Sequence, residues 1–163
     1  MVRLLVALLS LTFPLAALAE LSGRVVAVHD GDTLTLDDHG RKVRVRLDGI
    51  DAPELAQRYG KSSRSALTRL CRGKLAVVSE RTKDEEGRVL GTVTCGGPDG
   101  VDANAEQVKQ GLAWVYRTYL PLGSPLYELE TNARLTQRGL WRDEKPTPPW
   151  EWRQQHPARK KPR

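Results

Sequence analysis

At 163 residues the chain has the length of a single domain, able to bury one core but not two ordinary ones. Charged side chains make up 28% of it, which excludes fibrous and membrane-bundle classes. A formal net charge of +6 and a pI near 9.6 suit a polyanionic partner, nucleic acid or an anionic surface.

The first residues differ from the rest. Met1-Val2-Arg3 carries one positive side chain, Leu4 to Ala19 is apolar or small apart from Ser10, Thr12 and Pro14, and the run closes on Ala17-Leu18-Ala19. This pattern predicts a secretory signal peptide over residues 1–19, cleaved after Ala19. The apolar run is shorter than the roughly 20 residues a spanning helix needs. The chain from Glu20 is therefore expected to be secreted or periplasmic, with no stable membrane association and as a monomer. Its two cysteines, Cys71 and Cys95, read as one disulfide in an exported protein, two free buried thiols being the alternative. Without a histidine cluster they make no zinc site.

Arg24 to Val28 is β-branched and strand-like, and Asp30-Gly31 is a turn dipeptide. Thr33 to Asp37 alternates as a second strand, Asp38-His39-Gly40 turns, and Lys42 to Leu47 alternates strictly. Val43, Val45 and Leu47 share one face, and Arg46 lies opposite the core. Residues 24–47 thus read as a three-stranded meander. A helix is predicted over Ser62–Arg72 with Gly73 as its stop, then strands at Leu75–Val78 and Arg88–Cys95. Asn104 is the expected cap of a short helix ending near Gly111. Ser124 and Pro125 open a longer helix running to about Arg138, with an apolar face of Leu126, Leu129 and Ala133. Lys145 to Trp150 is proline-rich and expected to be extended, and residues 157–163 read as a disordered basic tail. Trp141, Trp150 and Trp152 are expected to pin the C-terminal segment to the barrel. The order of elements predicts an α+β fold: a closed five-stranded OB-fold barrel with about three helices packed outside.

Carboxylates stand at both ends of the segment Asp30–Glu54. A hairpin brings its ends together, so Asp32, Asp51 and Glu54 are placed to converge on one metal. Two carboxylates, a carbonyl and waters form an all-oxygen shell suited to a hard ion, Ca²⁺ or Mg²⁺. Ala52 precedes Pro53, which restricts its backbone and makes its carbonyl a third candidate ligand. Glu54 is placed to orient or deprotonate a water, and Arg46 and Arg88 to clamp a phosphate. Each piece alone is weak: Asp-Gly is usually only a turn and a strand arginine a solvated charge.

In combination the motifs resemble the staphylococcal nuclease, or thermonuclease, family over about residues 22–141. The resemblance rests on Asp30-Gly31-Asp32-Thr33, on Arg46-Leu47-x-x-Ile50-Asp51-x-Pro53-Glu54, and on Asp84-x-x-Gly87-Arg88. It continues through Asn104 and Gln110-Gly111-Leu112-Ala113. It implies an OB-fold nuclease domain over residues 20–143, followed by a Pro-rich and basic tail over 144–163. It further implies Asp32 and Asp51 as Ca²⁺ ligands with the Ala52 carbonyl, Glu54 as the water-activating carboxylate, and Arg46 and Arg88 as phosphate clamps. Tyr119 matches a substrate-binding tyrosine of the nucleotide pocket. The implied reaction cleaves the P–O5′ bond of DNA and RNA, leaving 3′-phosphate ends without a covalent intermediate. The best-known member has Thr where this chain has Ala52 and an aromatic where it has Arg117. The competing expectation is a non-catalytic OB-fold module that binds nucleic acid without cutting it.

Overall fold

A computed structural model describes residues 21–118 and 120–157. The expected signal peptide, Tyr119 and the basic residues after Pro157 lie outside them.

Strands β1 (Leu21–Val28), β2 (Thr33–Asp38) and β3 (Arg41–Leu47) form the expected antiparallel meander. After β4 (Ile50–Asp51) and helix α1 (Gly60–Cys71), strand β5 (Leu75–Lys83) pairs with β1, and β6 (Val89–Cys95) pairs with β5. A parallel pairing of β3 with β6 closes the sheet, so β1, β2, β3, β5 and β6 form a five-stranded mixed barrel of OB-fold type. Closure leaves the barrel without an open edge between β3 and β6.

The alternation read from the sequence fills the interior. Leu34, Leu36, Val45, Leu47 and Val93 are each 0% exposed, and burying such a side chain contributes roughly 1.5–3 kcal/mol. Short β7 (Val101–Asp102) leads into helix α2 (Ala103–Lys109), and β8 (Trp114–Val115) pairs with β4 as a two-stranded annex. Helix α3 (Pro125–Leu135), the 3-10 turn Gly139–Arg142 and helix α4 (Pro149–Gln155) complete the elements of the described residues. Among the described residues four α-helices therefore surround the barrel, where about three were expected.

Three local expectations are corrected. Helix α2 is capped by Asp102, whose carboxylate accepts the Ala105 N–H, while Asn104 lies inside the helix. The Asn104 side chain instead accepts from Val93 N–H and donates to the carbonyls of Asp48 and Gly91, binding α2 to the barrel wall. Helix α3 starts on the expected Ser124 cap but ends at Leu135. The Pro-rich run is extended only as far as Pro148: Pro149 occupies the first helical position of α4, where its missing N–H costs nothing.

A second cluster forms around Trp114, Ala133, Leu140 and Trp141, with Trp150 packed against it. Trp150 meets the Trp114 ring edge-on at 5.8 Å. Trp141 and Trp150 thus anchor the C-terminal segment as expected, whereas Trp152 stacks on His156. Cys71 at the end of α1 and Cys95 at the end of β6 form a disulfide. The bridge closes a loop with a sequence separation of 24 residues, worth about 3 kcal/mol by the chain-entropy relation. Replacing both cysteines by alanine is expected to lower the denaturant-unfolding free energy by about that amount. Unchanged unfolding would show that the bridge contributes nothing to stability.

Candidate active site

The strand register that buries Val45 and Leu47 turns Arg46 outward, directly opposite Thr33 on β2 and so beside Asp32. Asp30 fixes the approach: its Oδ1 accepts the Asp32 N–H at 3.0 Å, directing Asp32 inward. Gly31 is required there because a Cβ would lie 1.8 Å from Ser63 Oγ. Gln107 of α2 seals the same loop from below, donating to the Gly31 carbonyl and to Ser63.

Asp32 is 2% exposed and Asp51 1%. One guanidinium joins them: Arg46 Nη1 donates to Asp32 Oδ1 at 3.0 Å and Nη2 to Asp51 Oδ1 at 2.9 Å. The second oxygen of Asp32 accepts the Ala52 N–H at 2.7 Å. Strand β4, held by β8, fixes Asp51 in this position. Glu54 belongs to a tight turn: its N–H donates to Gln57 Oε1 at 3.1 Å and its carbonyl accepts the Gln57 N–H at 2.8 Å. The amide of Gln57 donates in turn to the Thr147 carbonyl, tying this turn to the C-terminal segment.

Arg88 enters from the other side. Asp84 Oδ1 accepts the N–H groups of Glu86 and Arg88, and Oδ2 accepts Arg88 Nε at 2.6 Å. The Asp84-x-x-Gly87-Arg88 motif is thus a turn that uses the acid to brace the arginine, with Gly87 at φ 75°. A cleft of about 660 Å³ is lined by Arg46, Asp51, Glu54 and Arg88, with Asp30 and Arg153 among its other walls.

Arg153 was absent from the sequence expectations. It lies on α4, and Trp150, three residues earlier, shares its helical face. Docking of Trp150 carries Arg153 into the cleft, where Nη2 donates to Asp51 Oδ2 at 2.7 Å and Nη1 to Glu54 Oε1 at 2.8 Å. The three candidate carboxylates are therefore linked in a row, Asp32 to Asp51 through Arg46 and Asp51 to Glu54 through Arg153. Among the described residues no group of three or more His, Cys, Asp or Glu is arranged to hold a metal ion. Arg117 lies over the Tyr127 ring and pairs with Glu130. Glu130, buried on α3, also accepts the Val115 N–H and so braces the β8 annex behind Asp51. Neither Gln107 nor Glu130 was singled out from the sequence. The available signal for Gln107 was its place three residues after Asn104 on one helix, a polar pair turned toward the barrel.

Burial, with the nearby charges of Asp30 and Asp51, pushes the Asp32 carboxyl up to about 7 against the lowering effect of Arg46 and the Ala52 N–H. Hydrogen bonding to Asp51, and then to Glu54, holds Arg153 still more firmly in its charged form despite its partial burial.

A barrel of this topology belongs to the OB-fold class, here with buried carboxylates and two arginines beside one polar cleft. Residues 44–143 match the staphylococcal nuclease homologue family, and the chain belongs to that family. It is 44% identical over 135 residues to an uncharacterized endonuclease of Escherichia coli, covering 83% of this chain and 86% of that protein. It is 37% identical over 158 residues to a protein of Shigella flexneri named micrococcal nuclease, covering 93% of this chain and 91% of that one. An uncharacterized endonuclease of Haemophilus influenzae is 40% identical over 134 residues, which is 81% of this chain and 72% of that protein.

The raised Asp32 value has a stability consequence. The folded state takes up a proton on Asp32 that the unfolded chain, near the ordinary 3.8, has released. Its contribution is present below that value and is lost as pH rises through about 7. Without divalent cations, Asp32→Asn should therefore gain stability relative to the parent between pH 5 and 8, measured by denaturant unfolding. A constant difference across that range would contradict the shift.

Proposed function

We propose that this protein is an exported nuclease that hydrolyses phosphodiester bonds of DNA and RNA with Ca²⁺ as cofactor. The observation that carries the reading is the linked row of carboxylates and guanidiniums Asp32–Arg46–Asp51–Arg153–Glu54, of which Arg46, Asp51, Arg153 and Glu54 line one cleft together with Arg88. The donor type suits a hard cation: Asp51 and Glu54 already hold a positive group, the Arg153 guanidinium, between carboxylate oxygens. With that guanidinium in place the described carboxylates are not gathered as a metal-binding group. Asp32 and Asp51, with the Ala52 carbonyl, are the residues that would hold the ion. Bound there, it would supply positive charge to a non-bridging phosphate oxygen and a site for an ordered water.

The chain's own groups account for the remaining requirements. Glu54 orients a water and takes its proton as the water oxygen attacks phosphorus. Arg46 and Arg88 present planar arrays of N–H donors to the phosphate oxygens as charge grows on them. The bond from phosphorus to O5′ breaks and O5′ takes up a proton from solvent, leaving a 3′-phosphate and a 5′-hydroxyl with no covalent enzyme intermediate, and Glu54 returns its proton to solvent. Tyr119, outside the described residues, is the residue the family resemblance offers for contact with the nucleotide. The basic composition favours a polyanionic substrate, and the relatives named endonuclease and micrococcal nuclease support the same substrate class. The N-terminal pattern of residues 1–19 supports export, and the disulfide agrees with an oxidising compartment.

Purified protein should degrade both DNA and RNA in Ca²⁺ and stop when a chelator is added. Arg46→Ala and Glu54→Gln should each lose about 10²–10³ in rate, the usual effect of removing one transition-state partner. Substrate that is bound but left intact at high enzyme and saturating Ca²⁺ would favour the non-catalytic binding module instead.

A further inference from the structure

We infer that Arg153 is a tethered competitor for the cation position, and that helix α4 sets how tightly the cleft takes up a divalent ion. The inference rests on the cation reading above. It starts from the placement of the guanidinium: Arg153 Nη2 lies 2.7 Å from Asp51 Oδ2, and Nη1 lies 3.2 Å from Asp51 Oδ1 and 2.8 Å from Glu54 Oε1. Both oxygens of Asp51 are thereby engaged, since Oδ1 is also held by Arg46 at 2.9 Å. A divalent ion ligated by Asp51 needs one of those oxygens. It would also stand within a few ångströms of a fixed positive charge in a partly buried site, where like charges repel strongly. Cation and guanidinium are therefore alternative occupants.

The contact is built to open. The Arg153 side chain is 44% exposed and that of Glu54 36%, while the Asp51 side chain beneath them is buried. Helix α4 has only seven residues and docks through Trp150 on Trp114 and Tyr116, outside the barrel hydrogen-bond network. Arg153 can leave without disturbing the strands that hold Arg46, Asp32 and Asp51. The cost of removing it appears as a reduced apparent cation affinity, scaled by the fraction of molecules in which Arg153 is already out.

Calorimetric Ca²⁺ titration of the purified protein without nucleic acid tests this directly, comparing the parent with Arg153→Gln and Arg153→Lys. Arg153→Gln is expected to bind Ca²⁺ about tenfold more tightly or better. Arg153→Lys keeps the charge but loses the planar fork that spans Asp51 and Glu54, so it should also bind more tightly than the parent, by less. The Trp150 indole N–H resonance of the parent should shift on Ca²⁺ addition as α4 adjusts. Measurable binding that agrees within twofold across the three proteins would overturn the inference and leave the cation reading standing. Tighter binding by Arg153→Gln with parent-like binding by Arg153→Lys would reduce the effect to net charge and overturn the claimed contact. Absence of Ca²⁺ binding in all three would remove the cation reading itself.

Discussion

Two buried carboxylates share one guanidinium, and the surrounding structure is organised by that constraint. Asp32 and Asp51 are almost fully withdrawn from water, and the charge of Asp51 adds to burial in opposing the ionisation of Asp32. Arg46 makes the pair tenable by donating to both. This requires the β2–β3 register that sets Thr33 against Arg46, the bend at Gly31 that only a residue without Cβ fits, and the β4–β8 pairing that presents Asp51. Barrel closure then serves the site as well as the core. The parallel β3–β6 pairing places Val45 against Val89 and Arg46 against Leu90, so Arg88, at the mouth of β6, opens onto the same cleft as Arg46.

Local pattern carried much of this into the sequence. Strict alternation in Lys42–Leu47 was enough to put Arg46 opposite the core, because a strand reverses its side chains at every residue. Ser124-Pro125 marked the start of α3 because cap and first-turn chemistry depend only on neighbours. The cysteine pair was legible from its number and the N-terminal segment. What escaped depends on partners far along the chain. Asn104 looks like a cap by residue type, but its amide is spent on the barrel carbonyls of Asp48 and Gly91 and on the Val93 N–H. Strands β4 and β8 are two residues each, too short for any periodicity to show. A run with three prolines reads as extended until one of them proves to be the first residue of a helix.

Arg153 shows the limit most clearly. It stands 99 residues from Glu54 and 102 from Asp51 in sequence, in a Pro-rich and basic segment whose tryptophans were expected to pin it to the barrel but whose arginine carried no local signal of its own. Its position follows from tryptophan packing: Trp114 and Trp141 fill the gap between β8 and the C-terminal turn, Trp150 rests against Trp114, and Arg153 follows one helical turn later. The segment beyond the barrel thus reaches the acidic row that the hairpin assembles. Arg117 is committed to Tyr127 and Glu130, and Glu86 is paired with Arg88.

Diffraction from crystals grown with Mn²⁺ and a short single-stranded oligonucleotide tests the central claim most directly, because the ion identifies itself by anomalous scattering. The account predicts one strong anomalous peak coordinated by the Asp32 and Asp51 carboxylates, with Glu54 facing a water beside it and Arg46 and Arg88 on the same phosphate. A peak elsewhere on the protein, or a phosphate seated away from Arg46 and Arg88 with the carboxylate row unchanged, would contradict it.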